Sequence, residues 1–430
     1  MNIVLTPIKP AVSLFSQEPF HVLLRVQAPP DSDSEPFPLN LAVVVDRSGS
    51  MQGQPISEAK RCVQYLVEHL SPADQVAMVV YNNEVDTPMD LLPAPQAQTK
   101  IAEVLSGVHA GGTTDLHAGW LRGAELLAPV TDQQALCRVI LLSDGITNAG
   151  LTDVDRIAQQ VRHLAQAGVT TTTVGLGRNF NEFLMTAMAD AGQGMAHYGE
   201  RAEDLFETFE SELGLLKNIA WRDVRFTVNG ISGVEVVNRY SKTNAQWHLP
   251  AIAAGAEAWA LLRIPAESIG ELTESGAGLT IAMEALDQNG RVHVAFKRLN
   301  PMGLASAQDF DALQEDELVA RRVLELRASE IQFSARDAAR HGEWSVVERL
   351  LSELETLAID HPWLTASLTH LQELLAERDN ELMAKELHYK AYSLSQRLST
   401  INEASFDAIS EAAVAPHLRR KVAQGRRTER

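Results

Sequence analysis

Cysteine is almost missing from this chain. The 430 residues contain two, Cys62 and Cys137. The first falls in a helical pattern and the second opens an apolar strand. Both read as small buried apolar residues rather than a disulfide framework. No cysteine cluster of zinc spacing occurs. Long apolar runs are missing too: no stretch approaches the 18 or so residues a spanning helix needs, so none is expected. The segment Met1-Asn2-Ile3-Val4-Leu5-Thr6-Pro7 lacks a basic start, an apolar core and a cleavage site, so no secretory leader is expected and the cytosol is the natural compartment. Basic residues are in short supply, 37 Lys and Arg against 56 Asp and Glu, for a net charge of -19. That balance argues against nucleic acid as a partner, because neutralising phosphates needs basic surface. The exception is the C-terminal stretch 403–430, where Arg419, Arg420, Lys421, Arg426, Arg427 and Arg430 cluster. It reads as a disordered, solvated tail, with docking onto an acidic partner or a membrane surface as the alternative. No G-x-x-x-x-G-K-[ST] loop is present, and Gly175-Leu176-Gly177 is too short a turn to cradle phosphate.

What is present points to two or three domains. Between residues 41 and 200, apolar strands alternate with helical patterns, the signature of a parallel sheet covered on both faces. The expected strands are 41–45, 75–81, 138–142, 169–174 and 195–198. The expected helices are 56–70, 99–106, 116–127, 154–166 and 181–191. Pro55 suits a helix start, and Asp153 and Gly168 bracket a later helix as cap and stop. In open sheets of this kind, ligands gather beyond the carboxyl ends of the strands.

Three strand ends or loops carry oxygen donors. Asp46-Arg47-Ser48-Gly49-Ser50 follows the apolar run Leu41–Val45 and brings one carboxylate and two hydroxyls. Gly111-Gly112-Thr113-Thr114 offers a further hydroxyl, and Ser143-Asp144-Gly145 a second carboxylate after another apolar strand. Oxygen-only ligation suits a hard divalent cation such as Mg2+, with Mn2+ or Ca2+ as alternatives. Neutral hydroxyls donate little charge, so an ion held largely by them stays electrophilic and favours an anionic oxygen from outside. Divalent ions also activate water, but no His-x-x-x-His pair lies near these segments. His109 and His117, which flank Thr113, read as surface or packing residues.

Asp46, Ser48, Ser50, Thr113 and Asp144, in this order and spacing, resemble the metal-ion-dependent adhesion site of von Willebrand factor type A domains. The resemblance spans roughly residues 37–215. It implies a Rossmann-like α/β domain with a parallel central sheet, and a cation held directly by the serines and the threonine and directly or through water by the aspartates. Thr113 is preferred because the family's threonine directly follows the glycine pair; Thr114 is the alternative. Asp115 and Asn148 lie close enough to support the ligands.

The flanks read differently. Asn2–Pro7 and His21–Gln27 are strand-like, and Pro29 through Glu35 form a polar linker. After residue 217, strands are expected at 224–228, 234–237, 258–264, 279–285 and 292–297, with Asp287-Gln288-Asn289-Gly290 as a hairpin turn. These pieces are expected to join residues 1–36 in an antiparallel β-sandwich, with the metal domain (37–217) inserted and 218–303 completing the sandwich. That arrangement resembles inter-alpha-trypsin inhibitor heavy chains and related bacterial proteins. Residues 304–402 read as a helical hairpin or bundle, with a break at Arg340-His341-Gly342-Glu343 and another at His361-Pro362. Only one unit loosely like a tetratricopeptide is visible, and a stacked array needs several.

The expectation is a cytosolic interaction module, not an enzyme, whose cation captures a Glu or Asp of a protein partner; self-association is a further possibility. The alternatives are an adaptor for an ATPase of the MoxR type or another assembly, and a metal-assisted hydrolase or phosphatase with Asp46 as nucleophile. Ser48 weakens the last, since that pattern wants a second Asp there.

Overall fold

The computed structural model describes residues 1–29, 37–131, 135–177, 180–199, 201–273, 276, 278–287, 290–359, 362–396 and 399–400. The linker acids Asp31, Asp33 and Glu35, the tail 403–430, and Gln288, Asn289 and His361 of the expected turns lie outside the described residues. The chain divides into two compact units, Ser34–Asn218 and a second formed by Met1–Asp33 with Ile219–Arg430.

The first unit is built on a six-stranded sheet in the order Val85–Pro93, Gln75–Tyr81, Leu39–Asp46, Leu136–Ser143, Val169–Leu176, Ala196–Gly199. All neighbours are parallel except the first pair. Every residue of Leu39–Asp46 is buried. This is why its sequence is a nearly unbroken apolar run: a parallel strand covered on both faces has no solvent side to mark with polar residues. Helices Gln54–Glu68, Ala94–Ser106, Leu116–Leu127, Val154–Gln166, Glu182–Ala191 and Ala202–Lys217 complete the unit. Asp153 caps its helix, accepting from Arg156 N at 2.8 Å, and Gly168 follows with φ +97°. Pro55 lies inside the first helical turn, where its missing N–H costs nothing. Two elements were not anticipated, the antiparallel edge strand Val85–Pro93 and the helix Ala202–Lys217.

The second unit holds two antiparallel sheets. One runs Asn2–Pro7, Phe20–Gln27, Ala256–Ile264, Glu235–Val236. The other runs Lys242–Thr243, Gln246–Leu249, Ile219–Asn229, Thr280–Leu286, Val292–Arg298. Leu23, Trp259 and Leu261 of the first sheet pack on Val319 and Leu326 of the long helix Glu317–Arg340. That helix ends at Arg340, the chain turns at Gly342 (φ +69°), and Trp344–Ala358 follows. Pro362–Glu377 and Asn380–Gln396 close a bundle around Leu351, Leu354, Leu364, Leu371 and Leu387. The region expected to be helical to 402 instead ends in a short strand, Ser399–Thr400, paired with Ala256–Glu257. Among the described residues, no helix is long and apolar enough to cross a membrane.

Candidate functional site

The parallel pairing of Leu39–Asp46 with Leu136–Ser143 sets Val45 beside Leu142. Asp46 and Ser143 therefore emerge side by side at the carboxyl end of the sheet, followed at once by Ser48, Ser50 and Asp144. Ser48 N donates to Asp46 Oδ1 at 2.8 Å, an Asx-type turn that folds the loop back over its own strand. The Ser48 and Ser50 hydroxyls lie 3.0 Å apart, and Ser50 Oγ donates to Asp144 Oδ1 at 2.9 Å. Ser143 Oγ donates to Asp46 Oδ2 at 2.7 Å. Four of the five expected residues, from two strand ends, thus form one bonded cluster. Asp46, Ser48 and Asp144 are buried.

The fifth is placed differently. Thr113 is exposed and takes no part in these bonds, whereas Thr114 is buried. The loop geometry explains the exchange. Gly111 N donates to Arg47 O at 2.8 Å, and Gly49 N donates to Gly112 O at 3.0 Å, tying the glycine pair to the serine loop. Gly112 turns the chain with φ +86°, a conformation that suits glycine. Asn148 then clamps the next backbone unit: its Oδ1 accepts from Thr114 N at 2.8 Å and its N–H donates to Thr114 O at 3.2 Å. Thr114 is held with its hydroxyl inward. A Cβ added to Gly145 would stand 3.0 Å from Ser50 Oγ and 3.4 Å from both Asp46 Oδ2 and Thr114 Oγ1. One point is therefore ringed by oxygens from all three segments, and Gly145 leaves it open.

Asp115 is occupied elsewhere, capping the helix Leu116–Leu127 through Ala118 N at 3.0 Å. His117 bonds Gln160 at 2.7 Å and His109 is exposed. Neither joins the cluster. Ser143 and Asn148, which hold Asp46 and Thr114, carry the positioning. Asn148 was weighed from sequence; Ser143 was missed, although its signal was its place one residue before Asp144, on the strand neighbouring Asp46.

The electrostatics are unbalanced. The only guanidinium in the loop, that of Arg47, is ion-paired with Asp86 on the edge strand. The hydrogen bonds of Asp46 and Asp144 all come from neutral donors. Burial raises the Asp46 carboxyl above its ordinary range, the bonds from Ser143 and Ser48 opposing it only in part. Burial, with the Asp46 charge adding, pushes Asp144 up to about 6. Tyr81, wholly buried beneath, places its hydroxyl near Asp46 and Ser143 without the geometry of a hydrogen bond to either. Two buried carboxylates with hydroxyls around them and no cationic side chain between them fit a hard divalent cation, which would supply the missing positive charge. No group of three or more His, Cys, Asp or Glu side chains suited to a metal occurs among the described residues. The donor set here is different in kind, two carboxylates and three hydroxyls.

Comparison with known proteins bears on the same segment. Residues 40–211 match the family model for the von Willebrand factor type A domain. An uncharacterized protein of Synechocystis is 26% identical over 196 residues, 46% of this chain and 46% of that protein. Inter-alpha-trypsin inhibitor heavy chain H3 of Mus musculus is 25% identical over 166 residues, 37% of this chain and 19% of its own length. The chain thus spans about half or less of the curated relatives it matches. Two solved structures share the fold over nearly the whole chain. The von Willebrand factor type A protein of Catenulispora acidiphila covers 91% of this chain and 96% of its own, with TM-score 0.68 and 17% identity. The ArnB paralog VWA2 of Sulfolobus acidocaldarius covers 92% and 98%, with TM-score 0.62 and 18% identity.

Proposed function

We propose that this chain, whose residues 40–211 form a von Willebrand factor type A domain, binds a divalent cation through Asp46, Ser48, Ser50, Thr114 and Asp144 and uses it to capture a Glu or Asp side chain of a protein partner. Domains of this family are commonly metal-dependent interaction modules, generally without enzymatic activity. The observation that carries the reading is the imbalance of charge: two buried carboxylates meet three hydroxyls with no arginine or lysine bonded to either acid. The cation would supply an electrophilic centre at the carboxyl end of the sheet. Mg2+ suits oxygen donors of this number, with Mn2+ and Ca2+ as competitors. The chain's own residues have the remaining work. Ser143 and Asn148 hold Asp46 and Thr114 in place, the serines contribute neutral donors that leave the ion's charge largely unquenched, and Gly145 keeps the approach free of side-chain bulk. No histidine stands in the cluster to act as a general base, so we assign recognition rather than turnover.

Calorimetric titration of the full chain with Mg2+, Mn2+ and Ca2+ tests this directly. The wild type should bind one cation. Asp46→Ala should bind none while keeping its far-UV spectrum, and EDTA should abolish partner capture by the wild type. Cation binding of wild-type strength by Asp46→Ala would overturn the assignment.

A further inference from the structure

The last strand of the second antiparallel sheet, Val292–Arg298, is exposed along nearly its whole length. It pairs with Thr280–Leu286 on one side, in unbroken register from Thr280↔Arg298 to Leu286↔Val292. Among the described residues, no strand hydrogen-bonds its other edge, although Asn2–Pro7 of the first sheet runs close to this strand. Three apolar side chains, Val292, Val294 and Phe296, share one face and are 65%, 55% and 71% exposed. A single exposed valine needs no explanation, but three in a row on a sheet edge do.

Sheet edges are ordinarily guarded by proline, bulges, short length or charge, because the free N–H and C=O row is a template for another strand. The long edge of the other unit follows that rule: Val85–Pro93 carries Pro88 and Pro93, and its register shifts twice. The edges at Glu235–Val236 and Lys242–Thr243 are two residues long. Val292–Arg298 has seven residues, no proline and no bulge.

We propose that this edge pairs with the same strand of a second copy of the chain, antiparallel, about a two-fold axis at Ala295. The pattern of the strand favours its own image. With Ala295 facing Ala295, Val294 of each copy lies opposite Phe296 of the other, so both apolar side chains find an apolar neighbour on the same face. On the opposite face His293 meets Lys297. His293 is already bonded to Asp287 at 2.8 Å, which brings a carboxylate to the position a second copy's lysine would occupy. The chain as a whole carries -19, and copies repel. This strand contributes Lys297 and Arg298 instead of acids, so the edge is a place where that repulsion is locally relieved. The contact is isologous, closing on itself as a dimer rather than running on as a fibre. A strand of this length spans about 23 Å. An interface built on it alone is small, and the dimer forms in the micromolar range.

The inference is independent of the cation site, and the experiment is run in EDTA to keep it so. Sedimentation of the full chain from about 1 to about 200 µM should show the mass rising from 47.1 kDa toward twice that value. Phe296→Lys should raise the dissociation constant at least tenfold. Ala295→Cys should form a disulfide-linked dimer on mild oxidation, because directly opposed residues of an antiparallel pair have Cα atoms about 4.5–5.5 Å apart, within disulfide reach. Val292→Cys, three residues from the axis, should not. Both native cysteines are buried and leave the background low. A monomer throughout the range, a dimer indifferent to Phe296→Lys, or equal cross-linking by the two cysteine variants would each overturn the proposal.

Discussion

Two buried polar clusters in the same domain make opposite arrangements for their charge. Arg138 and Glu212 form an ion pair with side chains 6% and 3% exposed. Arg138 also donates to Thr170 at 3.0 Å and Thr172 at 3.1 Å, and Thr172 donates to Glu212 at 2.9 Å. That cluster closes upon itself: each charge has its opposite, and hydroxyls fill the remaining bonding positions. Asp46 and Asp144, as deeply placed, have hydroxyls in equal supply but no arginine or lysine bonded to them. Buried charge is tolerated when it is paired. A structural cluster brings its partner in the sequence, whereas a binding cluster leaves the partner to be recruited.

The comparison is sharpened most by breaking the closed cluster. Arg138→Met removes the positive member of the buried pair and leaves Glu212 with the Thr172 hydroxyl at 2.9 Å and His197 Nε2 at 3.6 Å beside it. Losing one partner of a buried pair costs about 3–5 kcal/mol, so urea unfolding should show a loss of that order whether or not Mg2+ is present. A loss below about 1 kcal/mol would mean that the cluster behaves as a surface pair does, and the contrast would fail.

The open cluster should respond to pH. Asp144 holds its proton up to about pH 6 in the fold, against 3.8 ordinarily. The folded chain binds that proton more tightly than the unfolded chain. The carboxyl's contribution to stability is therefore full below about pH 4 and is lost as pH rises through about 6. Asp46, also raised by burial, pulls the same way, so the measurement is the difference between wild type and Asp144→Asn. In EDTA the wild type should lose ground to Asp144→Asn as pH goes from 4 to 7. With saturating Mg2+ it should gain instead, because cation and proton compete for the same oxygens. A difference flat with pH in both conditions would show that Asp144 is not held as the geometry requires.

Much of this was legible in the chain. The strands Gln75–Tyr81 and Leu136–Ser143 and the helices Leu116–Leu127 and Val154–Gln166 announce themselves because continuous apolar runs and 3.6-residue periodicity survive in the sequence. Val85–Pro93 did not, since two prolines and two acids disguise an edge strand that is half in water. The helix Ala202–Lys217 was missed despite a usable signal: Leu205, Phe209, Leu213 and Leu216 recur at helical spacing, and all are buried. Asp46, Ser48, Ser50 and Asp144 could be read because strand ends fix them. Ser143 became visible only through the register that sets Asp46 at its side. The choice between two consecutive threonines depends on one positive-φ glycine and one asparagine clamp, and neither leaves a periodic trace.

That choice supplies the smallest effect and the finest test of the contrast. On the proposed reading the open cluster would need its hydroxyls aimed at a recruited ion, and the threonine placed for that is the buried one. Thr114→Ala removes an oxygen that faces Ser50 and Asp46 across the gap at Gly145. Thr114→Ser keeps it, and Thr113→Ala alters an exposed side chain outside the bonded cluster. Mg2+ affinity by calorimetry should fall about tenfold in Thr114→Ala, the scale on which single supporting groups tune a metal site, and return in Thr114→Ser. Thr113→Ala should match the wild type. If Thr113→Ala weakens binding and Thr114→Ala does not, the glycine loop turns the other way when the ion is present, and the open cluster is rebuilt on binding rather than waiting in place.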